Sequence, residues 1–260
     1  MVRPKKYLGQ HFLTDPAIAE RIVDLLPAGN DQAVMEIGPG KGILTDILVR
    51  KNYRKLIPVE IDSESVSYLV RRHPALSETM IEADFLKMDE RFFRTEILHI
   101  IGNFPYNISS QIFFRIIDQR QHVQSVVCMV QKEVAERIAA KPGSKTYGIL
   151  SVLLQAYFDV KLHFHVKPGS FFPPPKVHSS VIRLTRNSVE KLDCDEKQFI
   201  RVVKATFNQR RKTIRNSLKT ILLPLEDHRE LLSKRPEQLG VEDFVRLTNM
   251  TGPVKGSTQH

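Results

Sequence analysis

The first 140 residues alternate two kinds of hydrophobic pattern. Short runs of aliphatic and β-branched side chains recur at residues 34–37, 56–61, 79–83, 99–102 and 126–130. Mostly apolar runs of that length are what strands buried on both faces require. Between them apolar residues return every three or four positions, as at Leu44, Ile47 and Leu48 and again over residues 63–72, which is the helical period. The repeated strand–helix order predicts a mostly parallel sheet with helices on both faces. One further helix precedes the sheet. Thr14 or Asp15 stands in its capping position and Pro16 in its first turn, while Ile18, Ile22, Leu25 and Leu26 share one face.

After residue 140 the rhythm changes. Residues 147–158 have a helical pattern, and residues 159–166 and 177–184 then read as two strands at the end of the parallel sheet, predicting an antiparallel edge. Their connection contains Pro168-Gly169-Ser170-Phe171-Phe172-Pro173-Pro174-Pro175. It must be stiff and extended, because proline fixes φ and removes backbone donors. From residue 187 onward only helical patterns remain, over 199–207, over 214–222, and near Arg229 and Val241. The expected organisation is an α/β domain over residues 1–187 and a small all-helical domain over 188–260, with no internal repeat.

Composition narrows the class. Hydrophobic residues make up 42% of the 260 positions, too many for a disordered polyelectrolyte. No run of 18 apolar residues is present and the first residues lack a signal-peptide core, so no membrane partner is expected and a cytoplasmic location is. Two cysteines, Cys128 and Cys194, cannot build a disulfide framework or a four-cysteine zinc site, and no metal is expected. Net charge is +10, which favours a polyanionic partner. Its distribution says more than its size. Residues 1–140 hold 18 basic and 18 acidic side chains, residues 141–219 hold 16 and 5, and residues 220–260 hold 5 and 6. One 79-residue stretch therefore carries the whole surplus, and the body of the protein is neutral.

The ends of successive strands carry the candidate chemistry. Glu36-Ile37-Gly38-Pro39-Gly40-Lys41-Gly42 follows the first strand and opens a helix. Glycines there let a ligand approach the backbone, although a tight strand–helix connection asks for the same residues. The dinucleotide fingerprint would need a glycine where Ile43 stands. Glu60, ending the second strand in Val59-Glu60-Ile61-Asp62, can accept from both hydroxyls of a ribose. Asp84, after the third, can accept from an adenine amino group while Phe85 or Ile61 packs on the ring. Singly, each acid is an ordinary surface or cap residue; together at successive strand ends they describe a ligand with ribose and adenine and no pyrophosphate. S-adenosylmethionine fits that description better than a dinucleotide.

After the fourth strand stands Asn103-Phe104-Pro105-Tyr106-Asn107-Ile108-Ser109. Asn-x-Pro-Tyr resembles the catalytic motif of enzymes that methylate the amino groups of adenine or cytosine in nucleic acid. An exocyclic amine gives its lone pair to the ring and is a poor nucleophile. An Asn oxygen and a backbone carbonyl can accept its two N–H groups and stabilise the charge that develops on nitrogen. Tyr106 offers a stacking face worth about 1–3 kcal/mol.

These segments, with Tyr7–Leu13, residues 131–137, 147–152, 171–177 and 207–215, resemble the small-subunit ribosomal RNA adenine N6-dimethyltransferases. The match runs in order over about residues 3–250. The resemblance implies a Rossmann-like class I methyltransferase sheet, mostly parallel with one antiparallel edge strand, followed by a small C-terminal helical domain. It implies S-adenosylmethionine as cofactor, with His11, Leu13, Gly38, Gly40, Glu60, Asp84 and Asn103 around it. Asn103 would border both cofactor and target amine. Tyr106 and Phe171 would hold the flipped adenine between them, whereas on residue type alone Phe171 and Phe172 also read as core packing between the sheet and the helical domain. Phe172 falls at a variable position and is left out. The family usually has Leu where this chain has Phe104.

Residues 201–219 hold seven basic residues and no acid, and Arg210, Arg211, Lys212 and Arg215 are the expected RNA contacts. A solvated face is the plain alternative. The implied substrate is 16S rRNA in an assembling small ribosomal subunit, met by a monomer, and the implied reaction is dimethylation of two adjacent adenines in ribosome biogenesis. Large-subunit rRNA methylation is disfavoured by the Phe207–Arg215 segment. A non-catalytic assembly factor is disfavoured by the intact Asn103–Tyr106 motif, and a nicotinamide dehydrogenase by Ile43.

Overall fold

Seven strands hydrogen-bond side by side in the computed structural model, which describes residues 2–94, 96–219 and 229–251. They are β1 (Ala33–Ile37), β2 (Lys55–Glu60), β3 (Ile81–Glu82), β4 (Leu98–Asn103), β5 (Val123–Gln131), β6 (Phe158–Val166) and β7 (Ser179–Arg186). Their order across the sheet is β3-β2-β1-β4-β5-β7-β6. The first five pair in parallel. β7 is antiparallel to both β5 and β6, and so slots between them one place in from the edge.

The apolar runs are explained by burial on both faces. All five residues of β1 are buried. On one face Val34, Ile101, Val127 and Met129 pack with Ala19, Ile22 and Val23 of the helix Pro16–Val23, and with Leu44, Ile47 and Leu48. Met35, Ile100, Val126 and Cys128 alternate with them in sequence and are equally buried. Asp15, not Thr14, caps the first helix, accepting from the backbone N–H of Ala17 and Ile18.

Chain order reverses between β1 and β4, which are hydrogen-bonded neighbours. Such a switch point opens a crevice at the carboxyl ends of the strands. Gly102 brings the two strand ends close: a Cβ there would lie 2.5 Å from the carbonyl oxygen of Ile37.

The chain divides into two compact units. The first is Met1–Ala135 with Phe158–Arg186; the second is Glu136–Tyr157 with Asn187–His260. The boundary expected near residue 187 is thus the third crossing between units, and residues 136–157 are an earlier excursion. Packing explains their allegiance. In the second unit Phe207 lies between Tyr147, at 6.2 Å between ring centroids, and Phe244, at 5.9 Å. Around them are Phe199, Val202 and Val203 of the helix Glu196–Asn208 and Leu247 of the helix Val241–Asn249. The helix expected over 214–222 is seen as Ile214–Ser217; residues 220–222 lie outside the described residues.

Gly102→Ala should force β1 and β4 apart. Thermal or urea unfolding is expected to show a loss of about 1–3 kcal/mol, accompanied by weaker cofactor binding because Gly38 follows directly on Ile37.

Candidate functional site

A cavity of about 230 Å³ opens at the carboxyl ends of β1, β2 and β4, within the first unit. Gly38 and Gly40 after β1, Glu60 and Ile61 after β2, Asp84 and Phe85 after β3, and Asn103 and Tyr106 after β4 all line it. The segment from Tyr7 to Phe12 supplies another wall. Eight residues singled out from the sequence for cofactor or amine therefore meet in one place, because parallel strands deliver all their carboxyl ends to the same edge.

Each side chain is held in a definite role. Glu60 is 4% exposed, and its Oε2 accepts from Gly40 N–H at 3.0 Å. Its Oε1 accepts from Ile61 N–H at 2.9 Å and Asp62 N–H at 3.0 Å. Burial pushes its carboxyl above the ordinary range, against the pull of those three N–H groups. Asp84 caps the next turn through Leu86 N–H at 3.0 Å. Gly38 and Gly40 have positive φ, 66° and 55°. A Cβ on Gly38 would meet nothing within 4 Å, so bare backbone borders open space there; on Gly40 it would strike the Phe12 ring at 2.7 Å. An open glycine cradle, a buried carboxylate and a second carboxylate flanked by apolar Ile61 and Phe85 suit S-adenosylmethionine.

Asn103 is oriented by the N-terminal segment. Its Nδ2 donates to the His11 carbonyl at 2.8 Å, so Oδ1 remains as an acceptor. The His11 ring stacks on Tyr106 at 5.4 Å between centroids, and its Nδ1 bonds the Pro173 carbonyl at 2.7 Å. The Tyr106 hydroxyl pairs with Ser179 Oγ. Burial raises the Tyr106 pKa, so the phenol stays protonated. Gly9 lies so close to Asn107 that a Cβ would come within 2.4 Å of its Oδ1. Lys5 completes the strap by pairing with Asp62.

Leu13 and Phe171 take a different place. Phe12–Leu13 and Phe171–Phe172 form a two-stranded antiparallel ribbon in which Leu13 faces Phe171. Both are 4% exposed and belong to the apolar core with Ile22, Met129 and Val181. Neither lines the cavity, and the ring contact of Tyr106 is with His11. Phe171 packs within the core of the first unit. The exposed ring of the ribbon is Phe172, 56% exposed, which the sequence reading left out. Ser179 and the Lys5–Asp62 pair were also missed; the latter pair is 57 positions apart and has no local signature.

In the second unit Arg211, Lys212 and Arg215 are exposed. Arg210 is held within that unit, 3.7 Å from Glu237 Oε2 and donating to the Ser144 carbonyl at 3.4 Å. Among the described residues no group of three or more His, Cys, Asp or Glu could hold a metal ion. Among them, too, no helix is long and apolar enough to cross a membrane.

A family model described as ribosomal RNA adenine dimethylase matches residues 1–250. The ribosomal RNA small subunit methyltransferase A of Bacteroides thetaiotaomicron is 54% identical over 253 residues, covering 96% of this chain and 94% of the relative. That of Cytophaga hutchinsonii is 52% identical over 251 residues, covering 96% and 97%. Two solved structures share the fold. A dimethyladenosine transferase from Plasmodium falciparum has a TM-score of 0.76 at 24% identity, covering 93% of this chain and 99% of that one. The 23S rRNA methyltransferase ErmE has a TM-score of 0.71 at 23% identity, covering 92% and 99%.

One wall of the site should make stability depend on pH. Glu36 is fully buried two residues before Gly38, takes a hydrogen bond from Thr45 Oγ1 at 2.7 Å, and has a carboxyl that burial pushes up to about 8. A carboxyl with a raised folded-state pKa stabilises the fold when protonated. That contribution is present below the ordinary value of 4.5 and is lost as pH rises to about 8. Melting temperatures measured from pH 5 to 8.5 should fall more steeply in the wild type than in Glu36→Gln.

Proposed function

The chain belongs to the ribosomal RNA adenine dimethylase family, and we propose that it methylates N6 of two adjacent adenines near the 3′ end of 16S rRNA, giving N6,N6-dimethyladenine. It is an S-adenosylmethionine-dependent rRNA methyltransferase. The observation that carries the assignment of the site is Asn103: at the switch point, with its amide nitrogen held on the His11 carbonyl, its Oδ1 is left to accept from an incoming amine.

Gly38, Gly40, Glu60 and Asp84, which line one cavity, would hold S-adenosylmethionine, with Glu60 toward the ribose and Asp84 toward the adenine. When bound, that cofactor supplies an electrophilic methyl group. The target amine would donate one N–H to Asn103 Oδ1 and the other to a backbone carbonyl of Phe104 or Pro105. Holding both hydrogens turns the lone pair out of the ring and toward the methyl carbon. As the methyl carbon left the sulfonium sulfur, with the S–C bond pair going to a neutral thioether, the positive charge arriving on nitrogen would be stabilised by the same two acceptors. The methylated amine is strongly acidic and gives its proton to water, so no side-chain base is required. Tyr106, kept neutral and anchored by Ser179, is a surface for the base and not a proton acceptor. Two adenines taking two methyl groups each require four transfers, and the base must leave its stack each time.

The substrate reading is supported by relatives 52–54% identical over nearly the whole chain whose names specify the small subunit. Arg211, Lys212 and Arg215 would meet phosphates, with Arg210 mainly bracing the loop that carries them. The expected partner is an assembling small subunit, bound by a monomer in the cytoplasm.

Labelled cofactor should place methyl groups on undermethylated small subunits and not on large ones; product on large subunits alone would overturn the assignment. In Asn103→Ala, transfer should fall by at least about 10²–10³-fold, with cofactor binding still measurable by calorimetry. The triple variant Arg211→Ala, Lys212→Ala, Arg215→Ala should bind subunits more weakly. Its log–log salt dependence should flatten by about 0.7–0.9 for each phosphate no longer neutralised, and an unchanged slope would return these residues to a solvated face.

A further inference from the structure

Phe172 and Lys41 have no part in the chemistry above, yet they meet at the rim of the site. Phe172 lies opposite Phe12 in the ribbon, so the two rings share a face. Phe12 is buried there and Phe172 is not. The Lys41 ammonium lies 5.2 Å from the Phe12 ring centroid and 5.7 Å from that of Phe172. Both distances are within the range of cation–π attraction. Lys41 also lines a small crevice with Phe12, Gly38 and Asn103, which places it beside the proposed amine acceptor.

Lys41 differs from several cations of its unit that are held in ion pairs. In the first unit Lys5 pairs with Asp62, Lys51 with Asp24, Arg54 with Glu96 and Arg72 with Asp46. Among the described residues Lys41 has no carboxylate within ion-pair distance. Its hydrogens are therefore available to an external acceptor, and a phosphate is the acceptor a lone ammonium suits. Beside it, Phe172 presents an apolar ring to solvent. A stacking face next to a free cation is what one nucleotide of a single strand requires, base on the ring and phosphate on the ammonium.

We propose that Phe172 and Lys41 form a subsite for a nucleotide flanking the target adenine. The inference rests on the methylation reading, because only an adenine seated at Asn103 gives the strand a neighbour at this rim. The subsite holds the strand in position while the target base is extruded, and it acts on substrate affinity and not on the chemical step.

Two measurements test it. With undermethylated small subunits, Phe172→Ala and Lys41→Ala should each raise KM about five- to tenfold. Their kcat should stay within about twofold, with unchanged melting temperature and cofactor affinity. Phe172→Tyr and Lys41→Arg should restore KM. Separately, a short single-stranded oligoribonucleotide with 2-aminopurine next to an adenine, in the presence of S-adenosylhomocysteine, should bind the wild type with quenched fluorescence. The quenching should be lost in Phe172→Ala. Wild-type KM in both alanine variants, or quenching that survives Phe172→Ala, would make the cluster packing only and overturn the subsite. Failure of the wild type to methylate small subunits would instead overturn the substrate reading, and the oligonucleotide measurement would still decide the subsite.

Discussion

The parallel pairing of β1 with β4 is the constraint from which the site follows. Gly102 permits it, because any side chain there would press on the Ile37 carbonyl. The close approach sets the glycine turn beside Asn103, so the proposed cofactor cradle and the proposed amine acceptor share one wall. Sheet order then adds Glu60 from β2 on one flank. A site of this kind needs no flexible assembly, since rigid strand ends carry most of its polar groups.

The N-terminal segment finishes what the sheet begins. It is tied to three distant points: Lys5 to Asp62, the His11 carbonyl to Asn103, and the His11 ring to Pro173. The second of these gives Asn103 its useful orientation, because holding the amide nitrogen on one side turns the oxygen to the other. Tyr106 is fixed from both sides, by His11 on its ring and by Ser179 on its hydroxyl. The ribbon Phe12–Leu13 with Phe171–Phe172 anchors this segment to the core through Leu13 and Phe171 and leaves Phe172 facing outward.

Electrostatics divides the labour along the chain. The first 140 residues balance their charges and pair many of them locally, which suits a site that must take in a cationic cofactor and a neutral base. The surplus lies in residues 141–219, where Arg211, Lys212 and Arg215 are exposed. In the proposed function, affinity for a polyanion and chemistry on one base would fall to different residues, and salt would weaken the first without touching the second.

Much of this was legible in the chain itself. Apolar runs of strand length marked the five parallel strands, and the residues at their ends named the ligand and the reaction type. These are local signals, because a strand buried on both faces is mostly apolar and the glycine turn follows it directly. Other features had no local trace. The place of β7 between β5 and β6, the membership of residues 136–157 in the second unit and the Lys5–Asp62 pair all depend on distant parts of the chain meeting. Phe171 and Phe172 show the limit most sharply. As adjacent aromatics they are equivalent in composition, and strand alternation says only that they point opposite ways. Only pairing with Phe12 and Leu13 decided that Phe171 enters the core and Phe172 stays outside. The sequence by itself determined which chemical groups the protein possesses and in what order; the tertiary structure decided which of them face the cavity, because the direction of a side chain depends on the partner its backbone finds.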